Sequence, residues 1–124
     1  MIVVDAGALI AIERGDRFLL SCLQDARDGG GRAICHGGIV GQVWRGRGLQ
    51  ARLASALEAI DIRPLDAALG RAAGVLLARA RMADVVDAAL VALAGSGDQI
   101  FTSDPEDLEA LVRATGRDIA LVEV

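Results

Sequence analysis

Short β-branched segments alternate with longer helical segments along the whole chain, and this alternation constrains the fold most strongly. The first segment, Ile2-Val3-Val4, has the composition of a buried strand, and it ends at Asp5. Further strands are predicted at 32–36, 59–63, 99–102 and 119–124, and helices at 8–26, 39–57, 67–81, 85–94 and 106–115. Gly15 and Asp16 favour a break in the first helix. Strands separated by helices pair in parallel, which predicts a three-layer α/β/α fold with a central parallel sheet of four to five strands.

The length and the composition set the size and the chemistry of the core. At 124 residues the chain suits a single domain over 1–124, and 53 % of its residues are apolar. The aromatic residues are Phe18, Trp44 and Phe101, so the predicted core is aliphatic. So few rings also disfavour a platform on which nucleic-acid bases stack.

The charge of the chain is mildly acidic, with a formal net charge of -4, and all 13 basic residues are Arg. An acidic protein has no general electrostatic attraction to nucleic acid. Local contact would require an arginine cluster, for which Arg45, Arg47 and Arg52 are the clearest candidates. The same residues also fit a solvated helix face.

The cysteines, together with the lack of a signal-peptide pattern and of a membrane-spanning segment, predict the cellular location. Cys22 and Cys35 make no disulfide framework and lack the spacing of metal ligands, which favours a reducing environment. The first residues lack the pattern of a signal peptide. No apolar segment approaches the roughly 18 residues that cross a bilayer. We therefore expect a cytoplasmic protein without a membrane partner.

Two carboxylates follow predicted strands at the edge of the sheet where ligands bind in open parallel folds. Asp5 ends the first strand, and Asp104 follows the strand that ends at Thr102. If these strands are neighbours, their ends lie roughly 5 Å apart. Carboxylates this close repel each other unless a proton or a cation lies between them. A hard divalent cation such as Mg²⁺ suits this position.

Asp84 and Asp87 form a third acidic position at the start of a helix that is apolar on almost every side. Each acid also has a purely structural interpretation. Asp104 before Pro105 fits a helix N-cap, as does Asp84, and the helix dipole favours an acid at Asp87. Three acidic positions at element ends nevertheless favour one shared cluster.

Three motifs resemble those of the PIN-domain family, in this order along the chain. They are Asp-Ala-Gly-Ala-Leu-Ile at 5–10, Asp-Ala-Ala-Leu-Val-Ala at 87–92 and Thr-Ser-Asp-Pro-Glu-Asp-Leu at 102–108. Each motif is short and weakly specific, but their order and spacing match across essentially the whole chain. The length is similar to that of the VapC toxins of bacterial VapBC toxin–antitoxin pairs.

The resemblance implies a PIN-like fold and a ribonuclease that depends on Mg²⁺ or Mn²⁺. Carried over by motif, Asp5, Asp87 and Asp104 are the catalytic, metal-binding acids. Asp84 is the alternative for the third metal-binding position, and Asp107 supports the metal-binding acids without binding the metal itself. The resemblance also implies an RNA substrate, a homodimer and a cognate VapB-type antitoxin, whose tail brings an Arg to the acidic site.

The sequence departs from the family at Gln42. The family places a Glu on the helix after the second strand, in a stretch resembling Ala-Glu-Val, a bulky residue and Arg. Here residues 41–45 are Gly-Gln-Val-Trp-Arg, so Gln42 occupies the Glu position. An amide offers one oxygen but no charge, which weakens the attraction for a hard cation. The alternative function is therefore a PIN-fold binding or regulatory module that has lost catalysis.

Other residues favour structural roles. The single histidine, His36, lies at a strand end without a Ser or Cys partner, and Cys35 fits a small buried group. Trp44 fits a packing residue of its helix, or alternatively an interface residue. Receiver-like signalling domains also gather Asp residues at strand ends. Such domains resemble one another in using a Lys at the phosphorylation site, and this chain has no Lys.

Overall fold

The computed structural model describes residues 1–46 and 48–124, with the side chain of Leu49 outside that description. Arg47, a member of the predicted arginine cluster, also lies outside the described residues. The strands are β1 (Ile2–Val4), β2 (Ala33–His36), β3 (Ile60–Arg63), β4 (Gln99–Thr102) and β5 (Ala120–Glu123). The helices are α1 (Ala6–Glu13), α2 (Arg17–Asp28), α3 (Gly37–Val43), α4 (Ala51–Glu58), α5 (Ala67–Ala80), α6 (Val85–Leu93) and α7 (Pro105–Thr115). A short 3₁₀ turn over Gly48–Gln50 precedes α4.

The five strands form one parallel sheet in the order β3-β2-β1-β4-β5. The chain starts in the centre with β1, builds outward to β3, then returns to the other side of β1 with β4. Strand order therefore reverses between β1 and β4, and ligands of such sheets bind in the crevice at this point. The predicted α/β architecture is confirmed. The first strand pairs with 99–102, which is the condition on which the expected nearness of Asp5 and Asp104 depended.

The core is aliphatic apart from one ring, as predicted. Val3 and Val4 of β1 and Leu9 of α1 are fully buried, as are residues 88–91 of α6. Phe101 is the exception, because its ring lies inside the core and stacks on Phe18 with 6.5 Å between ring centroids. Helix α6 is thus covered on nearly all sides, which explains its continuous apolar sequence.

The predicted break in the first helix is confirmed, and capping explains it. Gly15 has a φ of +79°, a conformation that glycine adopts at little cost. The Asp16 side chain then accepts a hydrogen bond of 2.9 Å from the backbone N–H of Leu19 and starts α2. Residues 6–28 therefore form two separate helices, α1 and α2.

The predicted helix over 39–57 is wrong, because the chain leaves the helical conformation after Val43. Gln50, although distant in sequence, satisfies the backbone groups that the break releases. Its amide nitrogen donates to the carbonyl of Val43, and its oxygen accepts from the N–H of Arg45 and Gly46. Trp44 lies beyond the end of α3 with 41 % of its surface exposed, so it is not the helix-packing residue that the sequence suggested.

Cys22 and Cys35 are both free. Burial, together with the nearby charge of Asp61, raises the pKa of the Cys35 thiol to about 12, so this thiol stays protonated. Within residues 1–46 and 48–124, no helix combines the length and the apolar character that crossing a membrane requires.

Candidate acidic site

Asp5 lies where β1 ends and α1 begins, and it is held by several hydrogen bonds. Its carboxylate caps α1 by accepting a 2.7 Å hydrogen bond from the backbone N–H of Ala8. It is also hydrogen-bonded to the Thr102 side chain and to the backbone of Gly7 and Ser103. Burial nevertheless raises the pKa of Asp5 above its usual value, because desolvation outweighs these bonds. The hydrogen bonds therefore fix the Asp5 carboxylate in place, but they do not fully compensate its negative charge for the loss of water.

The end of β4 is packed directly against the end of β1. The backbone N–H of Asp5 donates to the carbonyl of Phe101 over 3.1 Å, which continues the ladder by one residue. A Cβ on Gly7 would overlap the Oγ of Ser103, so only glycine admits this approach. The two strand-to-helix turns that carry Asp5 and Asp104 thus touch each other.

Thr102 connects these two turns and is fully buried. Its Oγ1 accepts a 3.0 Å hydrogen bond from the backbone N–H of Asp104, and its side chain is also hydrogen-bonded to the Asp5 carboxylate. Because that oxygen accepts from Asp104, its own O–H is available to donate to Asp5. Thr102 therefore orients both acidic positions at once.

Asp84 and Asp87 begin α6. Asp84 is the N-cap that the sequence suggested, and it accepts a 3.1 Å hydrogen bond from the backbone N–H of Asp87. Asp87 is half-buried, and its pKa is raised to about 6. Burial is the largest cause, and the negative charges of Asp84, Asp5, Asp107 and Asp104 follow in that order. The half-buried carboxyl of Asp87 therefore lies in the combined field of four other carboxylates.

Asp104 and Asp107 begin α7. Asp104 occupies the N-cap position with Pro105 in the first turn, as the capping interpretation predicted, but its side chain makes no capping hydrogen bond. Its carboxyl instead adjoins that of Asp107 and raises the pKa of Asp107 above the usual value. Capping therefore does not account for the Asp104 side chain. A hydrogen bond between the two carboxyl groups, and then the negative charge of Asp104, raise the pKa of Asp107.

The structure brings the acids of the sequence analysis into one electrostatic neighbourhood around Asp87. The donors are all oxygens, which is the chemistry that Mg²⁺ and Mn²⁺ select, and their mutual repulsion is what a cation relieves. In the described part of the chain, however, no three Asp, Glu, His or Cys side chains are close enough to enclose a metal. Gln42 is exposed on α3, and its backbone carbonyl accepts from Arg45. The oxygen donors of these acids therefore suit Mg²⁺ or Mn²⁺, but in this structure the acids do not surround the position of an ion.

Two residues near the acids were not predicted to act there. Thr102 was recognised only as the last residue of a strand, although a hydroxyl two positions before an acid is typical of a turn that bonds its own backbone. His36 was predicted to be structural, and it is fully buried between β2, α3 and α6. The sequence carries no signal that this ring reaches α6, because that contact depends on tertiary packing.

Comparison with known proteins supports the fold. No protein-family model and no curated protein sequence matches the chain. Among solved structures it resembles a chain of the crystal structure of VapBC2 from Rickettsia felis bound to a DNA fragment from their promoter. The TM-score is 0.69 at 12 % identity, over 99 % of this chain and 100 % of that chain. At this identity the similarity establishes the fold, and the predicted PIN-like fold is confirmed.

Proposed function

We propose that this chain is a VapC-type toxin of a type II toxin–antitoxin system, a metal-dependent endoribonuclease that acts through the acidic site. The observation that carries the proposal is the direct contact, at the point where strand order reverses, between the two turns that bear Asp5 and Asp104. Asp87 lies in the field of both acids, and burial together with four neighbouring carboxylates raises its pKa to about 6. A protein that needed these residues only as helix caps would gain nothing from placing them in mutual repulsion. Such repulsion is typical of a site that binds a cation.

In this proposal Asp5, Asp87 and Asp104 hold Mg²⁺ or Mn²⁺, with Asp84 as the alternative to Asp87. A bound ion would supply a Lewis acid for the scissile phosphate and would lower the pKa of a bound water. Thr102 orients Asp5 through its hydroxyl and Asp104 through the backbone. Asp107 adds negative charge beside Asp104 without binding the ion itself.

Gln42 supports a second candidate, a PIN-fold binding or regulatory module without catalysis. It is an exposed amide at the position where the resemblance expects a charged ligand, and the acids as they stand do not enclose an ion. Loss of one negative charge reduces affinity for a hard cation without removing the remaining donors. The two candidates therefore differ in turnover, not in fold.

A cleft on the other side of the molecule suits the proposed antitoxin. It has a volume of about 750 Å³ and runs between α2 and α4 along the edge strand β3. Its walls include the apolar Ile12 and Leu23, and its charged lining residues are Arg27, Arg32, Arg52, Glu58 and Asp61. An amphipathic antitoxin segment with charges of both signs would match this lining. A homodimer, an RNA substrate and a cytoplasmic location complete the proposal.

The test is cleavage of structured RNA with Mn²⁺ by the protein, by Gln42→Glu and by Asp5→Asn. We expect Gln42→Glu to raise the rate, because it restores a charged ligand, and Asp5→Asn to abolish it. Asp118→Asn is the matched control, since Asp118 is exposed and adjoins the opposite end of the sheet, before β5.

Two outcomes would count against the nuclease. Cleavage that persists in Asp5→Asn or without a divalent cation would place catalysis elsewhere. If the protein and Gln42→Glu are both inert although they fold and bind Mn²⁺, the binding module takes precedence.

A further inference from the structure

His36 lies at the junction of three elements, β2, α3 and α6, and α6 begins at the acidic residues Asp84 and Asp87. It is the last residue of β2, it caps α3, and its ring reaches the first turn of α6. No part of the ring is exposed to solvent. A histidine buried this completely is normally held by hydrogen bonds on both ring nitrogens.

The partners of the two nitrogens define the proton position. Nδ1 accepts a 3.0 Å hydrogen bond from the backbone N–H of Gly38, so it carries no proton. Nε2 is 2.8 Å from the backbone carbonyl of Val86, which can only accept, so Nε2 carries the proton and donates it. The ring is thus a neutral bridge with a fixed direction, from the start of α3 to the start of α6.

The carbonyl that receives this hydrogen bond belongs to the peptide unit that joins Val86 to Asp87. This peptide plane fixes the backbone of Asp87 and hence the origin of its side chain. The opposite side of the plane is constrained by Asp84, whose carboxylate accepts from the N–H of Asp87. The Val86–Asp87 peptide is therefore held at both its carbonyl and its N–H.

The packing around the ring leaves little freedom for a different arrangement. A Cβ on Gly38 would lie 2.9 Å from Cε1 and 3.1 Å from Nδ1 of the His36 ring. Glycine at this position lets the backbone of α3 close over the ring. A side chain at position 38 would therefore displace the ring, whereas glycine leaves room for the ring with its Nε2 directed at α6.

We infer that His36 is a positioning residue for Asp87, acting through the hydrogen bond from Nε2 to the Val86 carbonyl. It ties the carboxylate-bearing turn of α6 to β2 and to the first turn of α3, the helix that carries Gln42. This role goes beyond a helix cap, because capping α3 needs only Nδ1. The functional consequence rests on the proposed function of the acidic site.

Two substitutions separate the two hydrogen bonds. His36→Asn retains an oxygen near the position of Nδ1 and is a favourable N-cap, but it does not reach Val86. His36→Gln places an amide N–H near the position of Nε2 and loses the cap. If His36 only caps and packs, Asn is the milder change, and if it positions Asp87, Gln is the milder change.

The measurements are Mn²⁺ binding by calorimetry and amide hydrogen exchange of Asp87 and Ala88 by NMR. We expect His36→Asn to weaken Mn²⁺ binding about tenfold, as for other residues that orient a ligand, and to speed exchange of both amides. We expect His36→Gln to stay within about twofold of the unmodified chain in affinity. Asp66→Ala is the control for loss of a cap, because the Asp66 carboxylate caps α5 by accepting from the N–H of Leu69.

The exchange measurement distinguishes the two hypotheses. If the unmodified chain binds no Mn²⁺, the proposed function fails, while faster exchange in His36→Asn than in His36→Gln still supports the positioning role. If Mn²⁺ binds but both variants behave alike, or Asn is the milder change, His36 is a packing and capping residue and the inference is overturned.

Discussion

Replacing Asp87 by Asn should stabilise the fold at neutral pH while removing the proposed function. The pKa of Asp87 is raised from 3.8 to about 6, mainly by burial and then by neighbouring carboxylates. The folded state therefore favours the protonated carboxyl, and its ionisation opposes folding. Asn resembles the protonated form in shape and carries no charge, so it removes this cost.

The magnitude follows from the pKa. A rise of this size corresponds to about 3 kcal/mol, at 1.36 kcal/mol per pKa unit. Asp87 is only half-buried, and solvent screens part of the interaction, so about 1–2 kcal/mol is a realistic expectation. That is a large fraction of the net stability of a domain of this size.

The pH dependence shows in which direction Asp87 changes the free energy of unfolding. Below about pH 4 the carboxyl is protonated in both the folded and the unfolded chain, so the unmodified protein keeps its full stability. As the pH rises to about 6 the unfolded chain loses its proton first, and the free energy of unfolding falls. The advantage of Asp87→Asn should therefore be small at pH 4, grow up to about pH 6 and stay constant above it.

Urea unfolding in the presence of a chelator, from pH 4 to pH 8, measures this difference. Asp118→Asn serves as the control for loss of an exposed carboxylate outside the cluster. An equal or lower free energy of unfolding for Asp87→Asn at pH 7.5 would refute the argument that burial and neighbouring carboxylates oppose the ionisation of Asp87. So would a stability gain of similar size in the control.

Further predictions concern the contact between the two strand-to-helix turns. Thr102→Val should lower the free energy of unfolding by about 1–2 kcal/mol because buried hydrogen bonds are lost, and it should reduce RNA cleavage, while Thr102→Ser keeps both. Equal cleavage by the Val and Ser variants would show that the hydroxyl does not orient Asp5. Gly7→Ala should cost about 1–3 kcal/mol in urea unfolding through overlap with Ser103. Adding Ser103→Gly should recover most of this cost, and no recovery would place the strain elsewhere.

The sheet and its functional edge were predictable because each strand is short, β-branched and bounded by turn residues. A parallel sheet places the ends of such strands at one edge, so Asp5 and Asp104 were expected at the same edge, while the pairing of β1 with β4 that makes their turns neighbours comes from the structure. The start of α6 was predictable from Asp84, since capping is a local interaction. Local chemistry and strand alternation thus accounted for the positions of the acids.

What the sequence did not predict depends on contacts between distant residues. The end of α3 is stabilised by Gln50, seven residues beyond Val43, so helical periodicity alone extended the helix too far. The contact between His36 and Val86 spans 50 residues and arises only when α6 packs on β2. The raised pKa of Asp87 likewise requires the burial that the folded chain imposes. The metal-binding role of the acids remains a prediction.

The most direct test of the central claim, that the carboxylates act together on a divalent cation, is calorimetric titration of the protein with Mn²⁺ at pH 7.5. We predict one binding site per chain, weakened at least about tenfold in Asp5→Asn and Asp87→Asn and unchanged in Asp118→Asn. No binding by the unmodified chain, or equal binding by all four proteins, would contradict the account.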